Sequence, residues 1–253
     1  MTRWKAGLLA AGLSLAILGP VIGAAIVPVG TVAPIGDLEK EAAFQLKTLE
    51  GLLKDSASFE EMTHRKKLIP RAAGVLAVVG QTLAEHPQKS KTKILGTFLR
   101  DAARKVVTAK SYEDATAGLK EMKEAVEGRG KGEAGPDLPW NKLMSLHRLM
   151  EEVEERQGEL RKTFVAIGKG QELKPSEAYH ATTLALLGIV TIVDNHEVKK
   201  KEEIPEWESM AKEFQGQLTS LSKAMHDKDS KAFTTLFPKI GESCASCHDK
   251  FRH

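Results

Sequence analysis

The segment SCASCHDKFRH, residues 243–253, contains both cysteines of the chain and a histidine directly after the second. Two residues separate Cys244 from Cys247, and His248 follows. This spacing is the attachment sequence for c-type haem, in which each sulfur adds to one porphyrin vinyl group and the neighbouring imidazole ligates the iron. On a helix the three residues stand at i, i+3 and i+4 and share one face. The sequence therefore predicts one covalently bound haem c, with His248 as an iron ligand.

Other uses of the two cysteines fit the sequence less well. A disulfide between Cys244 and Cys247 would close a loop too small to stabilise the chain much. A redox-active CxxC is expected at a helix N-terminus after a strand, whereas this pair lies late in a predicted helix. Zinc would need two further ligands at finger or ribbon spacing, and the sequence has none. Haem attachment is the interpretation that remains.

The elements that must position this motif are helices. Aromatic residues make up only 5% of the 253 residues and charged residues 28%, and apolar residues recur at steps of three and four rather than alternating. The segment 128–139, GRGKGEAGPDLP, is rich in Gly, Pro and charge and marks a boundary between elements. The predicted helices are residues 37–54, 70–85, 91–109, 112–128, 140–167, 176–195, 203–226 and 230–253.

The two halves of the chain resemble each other. LAVVG at 76–80 matches LALLG at 184–188, and SYEDATAGLKEM at 111–122 aligns with DSKAFTTLFPKI at 229–240. A repeat of this kind indicates a duplicated supersecondary unit. The sequence therefore predicts an all-α protein of two tandem four-helix bundles with up-down-up-down topology.

The predicted boundaries follow from the repeat and the Gly-rich segment. The first bundle spans residues 37–128, a linker spans 129–137, and the second bundle spans 138–253. Both cysteines are in the second bundle, so the first is predicted to carry no haem.

The N-terminus predicts export. MTRWK carries two positive charges, an apolar run from Leu8 to Leu18 follows, and small residues precede a possible cut after Ala25. We interpret residues 1–25 as a signal peptide and place the mature protein in a bacterial periplasm, since covalent haem attachment in bacteria occurs outside the cytoplasm. The alternative is an uncleaved N-terminal anchor, because the uncharged run is long enough to span a bilayer. Only in that case does the sequence predict a membrane association.

Charge and motif content exclude several other classes. A net charge of +3 and a pI near 8.7 are mild, and no basic run is dense enough to indicate nucleic acid. A solvated surface explains the mixed charges, although an acidic protein partner would also suit them. The sequence shows no nucleophile with its base, no phosphate-cradling glycine loop and no paired-carboxylate site.

The position of the motif, almost at the C-terminus in the last helix of a bundle and followed by an aromatic residue and an arginine, resembles the cytochrome c′ family and its low-spin relatives. The resemblance covers residues 138–253. It implies that Cys244 and Cys247 hold the haem, that His248 is the proximal ligand and that Arg252 lies beside the porphyrin. Phe251 stands where the family often has tyrosine, and the extra N-terminal half departs from the family.

The resemblance also implies where a second iron ligand would be found. In such proteins a residue in the first turns of the first helix faces the iron. Methionine there gives a six-coordinate electron carrier, and an apolar residue leaves a pocket open to small gases. Here the region is PWNKLMSLHRLM, residues 139–150. Our order of candidates is Met144, then an open site behind Leu143 or Leu146, then His147; ordinary core packing of Met144 and solvation of His147 are the alternatives.

These observations together predict an exported c-type cytochrome. It would transfer single electrons with a redox protein partner that the sequence does not identify, or bind small diatomic ligands such as NO and CO. The main alternative is a haem-based gas sensor or a docking module in which the haemless bundle is the interaction domain. A redox enzyme such as a peroxidase is a third possibility, ranked lower.

Overall fold

The computed structural model describes residues 28–252, and the predicted signal peptide lies outside the described residues. The described chain is helical, with no β-strand between residues 28 and 252, so the all-α prediction is confirmed. The helices are α1 (Val29–Val32), α2 (Ile35–Leu52), α3 (Ser56–Glu60), α4 (Leu68–Glu85), α5 (Gly96–Val107), α6 (Tyr112–Val126), α7 (Leu146–Gly168), α8 (Tyr179–Val193), α9 (Ile204–His226) and α10 (Ser230–Phe251).

The long helices form two sets of four. The first set contains α2, α4, α5 and α6, and the second contains α7, α8, α9 and α10. The closest helix pair in each set, α4 with α5 and α8 with α9, packs at a glycine. A Cβ on Gly80 would lie 2.5 Å from the backbone nitrogen of Arg100, and a Cβ on Gly188 would lie 2.8 Å from the Cβ of Gln215. These are the last residues of the matched LAVVG and LALLG segments, so the two segments have the same packing role.

The helices α6 and α10 also begin alike and end differently. Ser111 caps α6 by accepting a hydrogen bond from the Asp114 N–H at 3.1 Å, and Asp229, its counterpart in the repeat, caps α10. In the same alignment the last residue of α6, Val126, corresponds to Cys244. The final turns of α10, which carry the rest of the CxxCH motif, therefore have no helical counterpart in the first half.

The two sets of helices pack against each other. Contacts run between α2 and α8 and between α4 and α7, and the buried apolar side chains of both halves form one continuous cluster. Residues 129–137 pack on α5, where the Gly135 N–H donates to Asp101 at 2.8 Å and Arg100 donates to the Gly135 carbonyl at 3.0 Å. The division into separate domains at 37–128 and 138–253 stays a prediction, because a shared core does not by itself define two units.

One helix in the described chain is long and apolar enough to cross a membrane. It spans Pro175–Val193 and has a mean hydropathy of 1.3, and 72% of this window is buried inside the fold. Such burial is typical of a core helix, since an all-round apolar helix is also needed at the centre of a large protein.

Candidate haem attachment site

The CxxCH motif lies in the last turns of α10. The helix begins at an Asp229 cap, which accepts a hydrogen bond from the Ala232 N–H at 2.9 Å, and it ends where the Arg252 N–H donates to the His248 carbonyl at 3.0 Å. Because Cys244, Cys247 and His248 are all within this helix, they share one face. The spacing predicted from the sequence is thus realised on a helix.

The two thiols lie at the junction of α10 with α7. Cys244 and Cys247 are half-buried and are not joined in a disulfide. The Gln157 side-chain amide of α7 donates a hydrogen bond to Cys244 Sγ at 3.0 Å. His248 is exposed, and its imidazole makes no hydrogen bond within residues 28–252. The face therefore presents two free thiols and an imidazole whose ring nitrogens are available.

The electrostatics of the thiols argue against a redox-active pair. Burial raises the pKa of Cys244, although the hydrogen bond from Gln157 opposes the effect. Burial also raises the pKa of Cys247, and the neighbouring Cys244 adds to it. Reactive CxxC pairs instead have a lowered pKa, because they lie at helix N-termini or beside positive charge. The geometry fits thiols that become thioethers better than thiols that exchange disulfides.

Contacts with α9 hold the end of α10 in place. The Phe251 ring meets the Trp207 ring edge to face, with centroids 5.2 Å apart. Lys250 pairs with Glu206, and two turns earlier the Ser243 hydroxyl donates to Gln217 at 3.0 Å. The motif is thus fixed between α9, which anchors the helix, and α7, which faces the thiols.

Two contacts between α7 and α10 give the register of this helix pair near the motif. Gln157 meets Cys244, and one further pair, Phe164 with Phe237, has ring centroids 5.3 Å apart, so the two helices run antiparallel. His248 is one turn beyond Cys244, which brings it level with Val153 of α7. Met150 lies one turn further along the same seam and is partly buried.

The predicted axial ligand Met144 is not brought to His248. The predicted helix over 140–167 begins instead at Leu146, because Ser145 is extended; Met144 precedes it. The helical rise from Leu146 to Val153 is about 10 Å, and Met144 lies beyond the first residue of the helix. Its side chain is buried against α4, where a Cβ on Gly74 would lie 2.8 Å from Met144 Cγ. The placement favours the alternative interpretation, core packing.

The other candidates for the distal side also lie away from the motif. His147 is exposed, with its Nε2 3.5 Å from Glu151. Leu143 is buried, and its carbonyl accepts from Arg104 of the first half at 3.5 Å. Leu146 is buried in the shared core. Arg252 lies at the end of α10 with an exposed side chain, next to the motif as the resemblance implies, and its role toward a porphyrin stays a prediction.

The residues present fit a c-type haem by the chemistry of their donor set. Cys244 and Cys247 would hold the porphyrin through thioether bonds, and His248 would supply an axial nitrogen. When bound, a haem would add a one-electron couple and a site for small ligands. Cys244 and Cys247, half-buried at the junction of α7 and α10, would hold the group there.

Comparison with known proteins supports the same class. Residues 197–252 match the family model of cytochrome c′, and this segment contains α9 and α10 with the whole CxxCH motif. The resemblance inferred from the sequence is therefore confirmed over these residues. The match supports a haem c-binding electron carrier or ligand binder.

The matched segment does not include α7, α8 or the first half of the chain. Neither a curated protein nor a solved structure matches the chain. What the remaining helices contribute must therefore be argued from their own contacts.

Sequence reasoning missed one residue at the site and a set of buried polar residues behind it. Gln157 is a polar residue within the apolar seam of α7. That interruption could have predicted a polar group facing α10. Asp37, Glu41 and Gln45 of α2 are buried beside the apolar stripe of that helix. Their spacing of four residues was visible in the sequence, and the partners that bury them come from helices more than a hundred residues away.

Proposed function

We propose that the protein is an exported bacterial c-type cytochrome that carries one haem c on α10 and transfers single electrons in the periplasm. Cys244 and Cys247 form the thioether bonds and His248 is the proximal ligand. The observation that carries the proposal is the placement of two thiols and an imidazole, none of them in a disulfide or an ion pair within residues 28–252, on one face of α10 in the segment that matches cytochrome c′. The signal peptide predicted at residues 1–25 supports export.

The side chains of α7 level with His248 determine which group could occupy the sixth coordination position of a bound haem iron. Met150 is a partly buried methionine of α7, one turn before Val153, and a thioether ligand raises the reduction potential and suits electron transfer. We therefore replace Met144 by Met150 as the candidate for the second axial ligand. The exposed side chains of Asp249 and Arg252 beside the motif would give a redox partner access to the attached haem.

A second function, binding of small diatomic ligands such as NO and CO, is favoured by one specific observation. Val153, the residue level with His248, is buried and apolar and cannot ligate iron. If Val153 rather than Met150 closes the distal side, the iron keeps an open position that excludes larger ligands. The same haem site would then serve ligand binding or gas sensing.

Absorption spectra of the ferric and ferrous protein, recorded with and without CO, test the proposal. Protein matured with haem should give a low-spin ferrous spectrum that CO changes slowly, and Met150→Ala should bind CO rapidly. The matched variant Met144→Ala should give the same spectra and the same CO binding as the wild type. Rapid CO binding by the wild type, unchanged in Met150→Ala, would contradict Met150 ligation and establish the ligand-binding alternative. Absence of any haem spectrum would contradict both functions.

A further inference from the structure

A buried polar stripe on α2 points from the first half of the chain into the second. Asp37, Glu41 and Gln45 recur every four residues, and each is at most 2% exposed. Burying charged groups is unfavourable unless they are paired and hydrogen-bonded. All three find their partners across the boundary between the halves.

The central contact joins Glu41 of α2 to Arg156 of α7. Glu41 Oε1 accepts hydrogen bonds from Arg156 Nη2 and, at 2.9 Å, from the Gln45 side-chain amide. Gln45 also donates to Glu152 of α7 at 3.4 Å. Charge-assisted bonds of this kind fix geometry as well as attracting their partners.

Arg156 of α7 contacts side chains of both α2 and α8. Its Nε donates to Glu152 at 2.7 Å, and its Nη1 lies 2.9 Å from Nδ1 of His180 on α8. Its guanidinium carbon lies 4.9 Å from the centre of the Phe44 ring of α2. With 1% of its surface exposed, Arg156 has little freedom to adopt another position. The guanidinium thus fixes α7 relative to both α2 and α8.

A second contact one turn earlier on α2 prevents that helix from pivoting. Asp37 Oδ2 accepts from the Thr182 hydroxyl of α8 at 2.6 Å and lies 2.8 Å from His226 Nε2 of α9. The two contacts together attach α2 to α7, α8 and α9. The first half is therefore held against the helices that surround α10.

The anchored residue is adjacent in sequence to the residue that faces the thiols. Successive side chains on a helix project about 100° apart, so Arg156 faces the first half while Gln157 faces Cys244. The same holds one turn earlier, where Glu152 joins the buried network and Val153 lies level with His248. A change in how Arg156 is held should therefore shift the side of α7 that carries Gln157 and Val153.

We infer that Glu41 and Arg156 are positioning residues and that the haemless first half is a brace, which sets the distance and rotation of α7 relative to the haem-bearing face of α10. This inference rests on the proposed function. It assigns to the first half a role within the haem site, in place of a docking role.

The test uses the full chain matured with haem and the variant Glu41→Gln. Glu41 Oε2 has no hydrogen-bond partner within residues 28–252, so the amide nitrogen can occupy that position while Oε1 remains an acceptor. The matched control is Glu50→Gln on the same helix, which removes a carboxylate paired with Lys123 at a largely exposed site. Haem content, thermal unfolding, the ferrous spectrum and the CO association rate constant are measured for each protein.

We expect Glu41→Gln to retain covalent haem and to change the CO association rate constant at least about threefold, because displacements near 1 Å have effects of this size or larger. The ferrous spectrum should shift as well, and Glu50→Gln should match the wild type in both. Arg156→Lys, which keeps the charge and loses the planar fork, should change the rate in the same direction.

The outcomes separate this inference from the proposed function. If Glu41→Gln lowers the unfolding temperature and leaves the spectrum and CO rate unchanged, Glu41 is only structural and the inference is wrong. If Glu41→Gln does not yield folded protein, an Arg156→Lys variant with wild-type spectrum and CO rate contradicts it equally. If the wild-type protein acquires no haem, the proposed function itself fails.

Discussion

Met144 has a side chain that could ligate iron, but in the structure this side chain packs in the core. Its side chain is buried against Gly74 of the first half and lies away from His248 along α7. Met144→Ala should lower the free energy of unfolding by roughly 2–5 kcal/mol, because truncation of a buried methionine leaves a cavity. Chemical denaturation checks the loss. A haem spectrum that becomes high-spin in this variant would instead reinstate Met144 as an iron ligand.

His180 predicts a pH dependence of stability. Burial, assisted by the Arg156 guanidinium, lowers the pKa of His180 from 6.5 to about 4. Between these values the unfolded chain binds a proton that the folded protein does not, so stability is lost as pH falls from about 6.5 to about 4. After allowance for solvent screening the contribution is on the order of 1–2 kcal/mol.

The variant His180→Gln isolates this contribution. The free energy of unfolding of wild type and variant is measured by denaturation at several pH values. As pH falls through this window, the wild type should lose more stability than the variant. A difference that stays constant from pH 7 to about 4 would show that His180 is not held neutral by the fold.

The residues of the candidate site differ in how far sequence could predict them. Cys244, Cys247 and His248 are separated by a single helical turn, so their spacing alone indicates the chemistry. Gln157 reaches Cys244 across a helix pair, and that contact depends on the register of α7 against α10. The sequence contains no local signal for such a register, so it could not distinguish Met144, which precedes α7, from Met150 within it as a candidate for the distal ligand.

At the scale of the element, the last turns of α10 depend on one aromatic anchor. Phe251 is buried against Trp207, whose indole N–H donates to the Thr191 carbonyl at 2.8 Å. Phe251→Ala should reduce stability by roughly 3 kcal/mol, the low end for such a change because the site is near a helix end. It should also lower the yield of haem-bearing protein, since the motif lies in the same turns.

The yield of haem per folded chain, measured by absorbance, checks this expectation. Asp249→Ala is a suitable control, because that neighbouring residue is exposed. If Phe251→Ala carries haem as fully as the control, the anchor does not position the motif.

The long helices could be predicted from the sequence because their apolar residues recur with helical periodicity. The eight long helices lie within the predicted segments to within a few residues at most ends. The largest differences are at residues 91 and 140, where short 3₁₀ turns precede α5 and α7. The short helices α1 and α3 and the π-helical turn Glu61–Arg65 were missed, since such segments are too short for a periodic signal.

For the whole molecule, the continuous core and the buried contacts of α2 predict cooperative unfolding. Thermal unfolding of the matured protein should give one transition by both far-ultraviolet circular dichroism and haem absorbance, because coincident probes indicate a two-state change. Two separated transitions, with the haem signal in only one of them, would show that the halves are independent domains.

The segment 138–253 alone should be less stable than it is within the full chain. Removing the first half exposes the apolar side chains of α7 and α8 that pack on it, each of which contributes roughly 1.5–3 kcal/mol while it is buried. It also takes Glu41 away from Arg156, which keeps its ion pair with Glu152. The melting temperature of this segment, compared with the haem transition of the full chain, checks the expectation. Equal temperatures would support an autonomous second bundle.

The repeated segments allowed the two halves to be recognised from the sequence. They did not predict how the halves associate. The matched LAVVG and LALLG segments predicted equivalent helices, and both pack through their terminal glycine. The association depends on Asp37, Glu41 and Gln45, whose partners lie far away in sequence. Only the folded arrangement identifies these polar residues as interface rather than surface.

The central claim, one covalent haem on α10, is tested most directly by mass spectrometry of protein produced with haem maturation machinery and extracted with acid acetone. We predict a mass increase of a single haem that survives extraction in the wild type. Replacement of Cys244 or Cys247 should lower or abolish it. A wild-type chain that leaves extraction with no added mass would contradict the assignment of this protein as a c-type cytochrome.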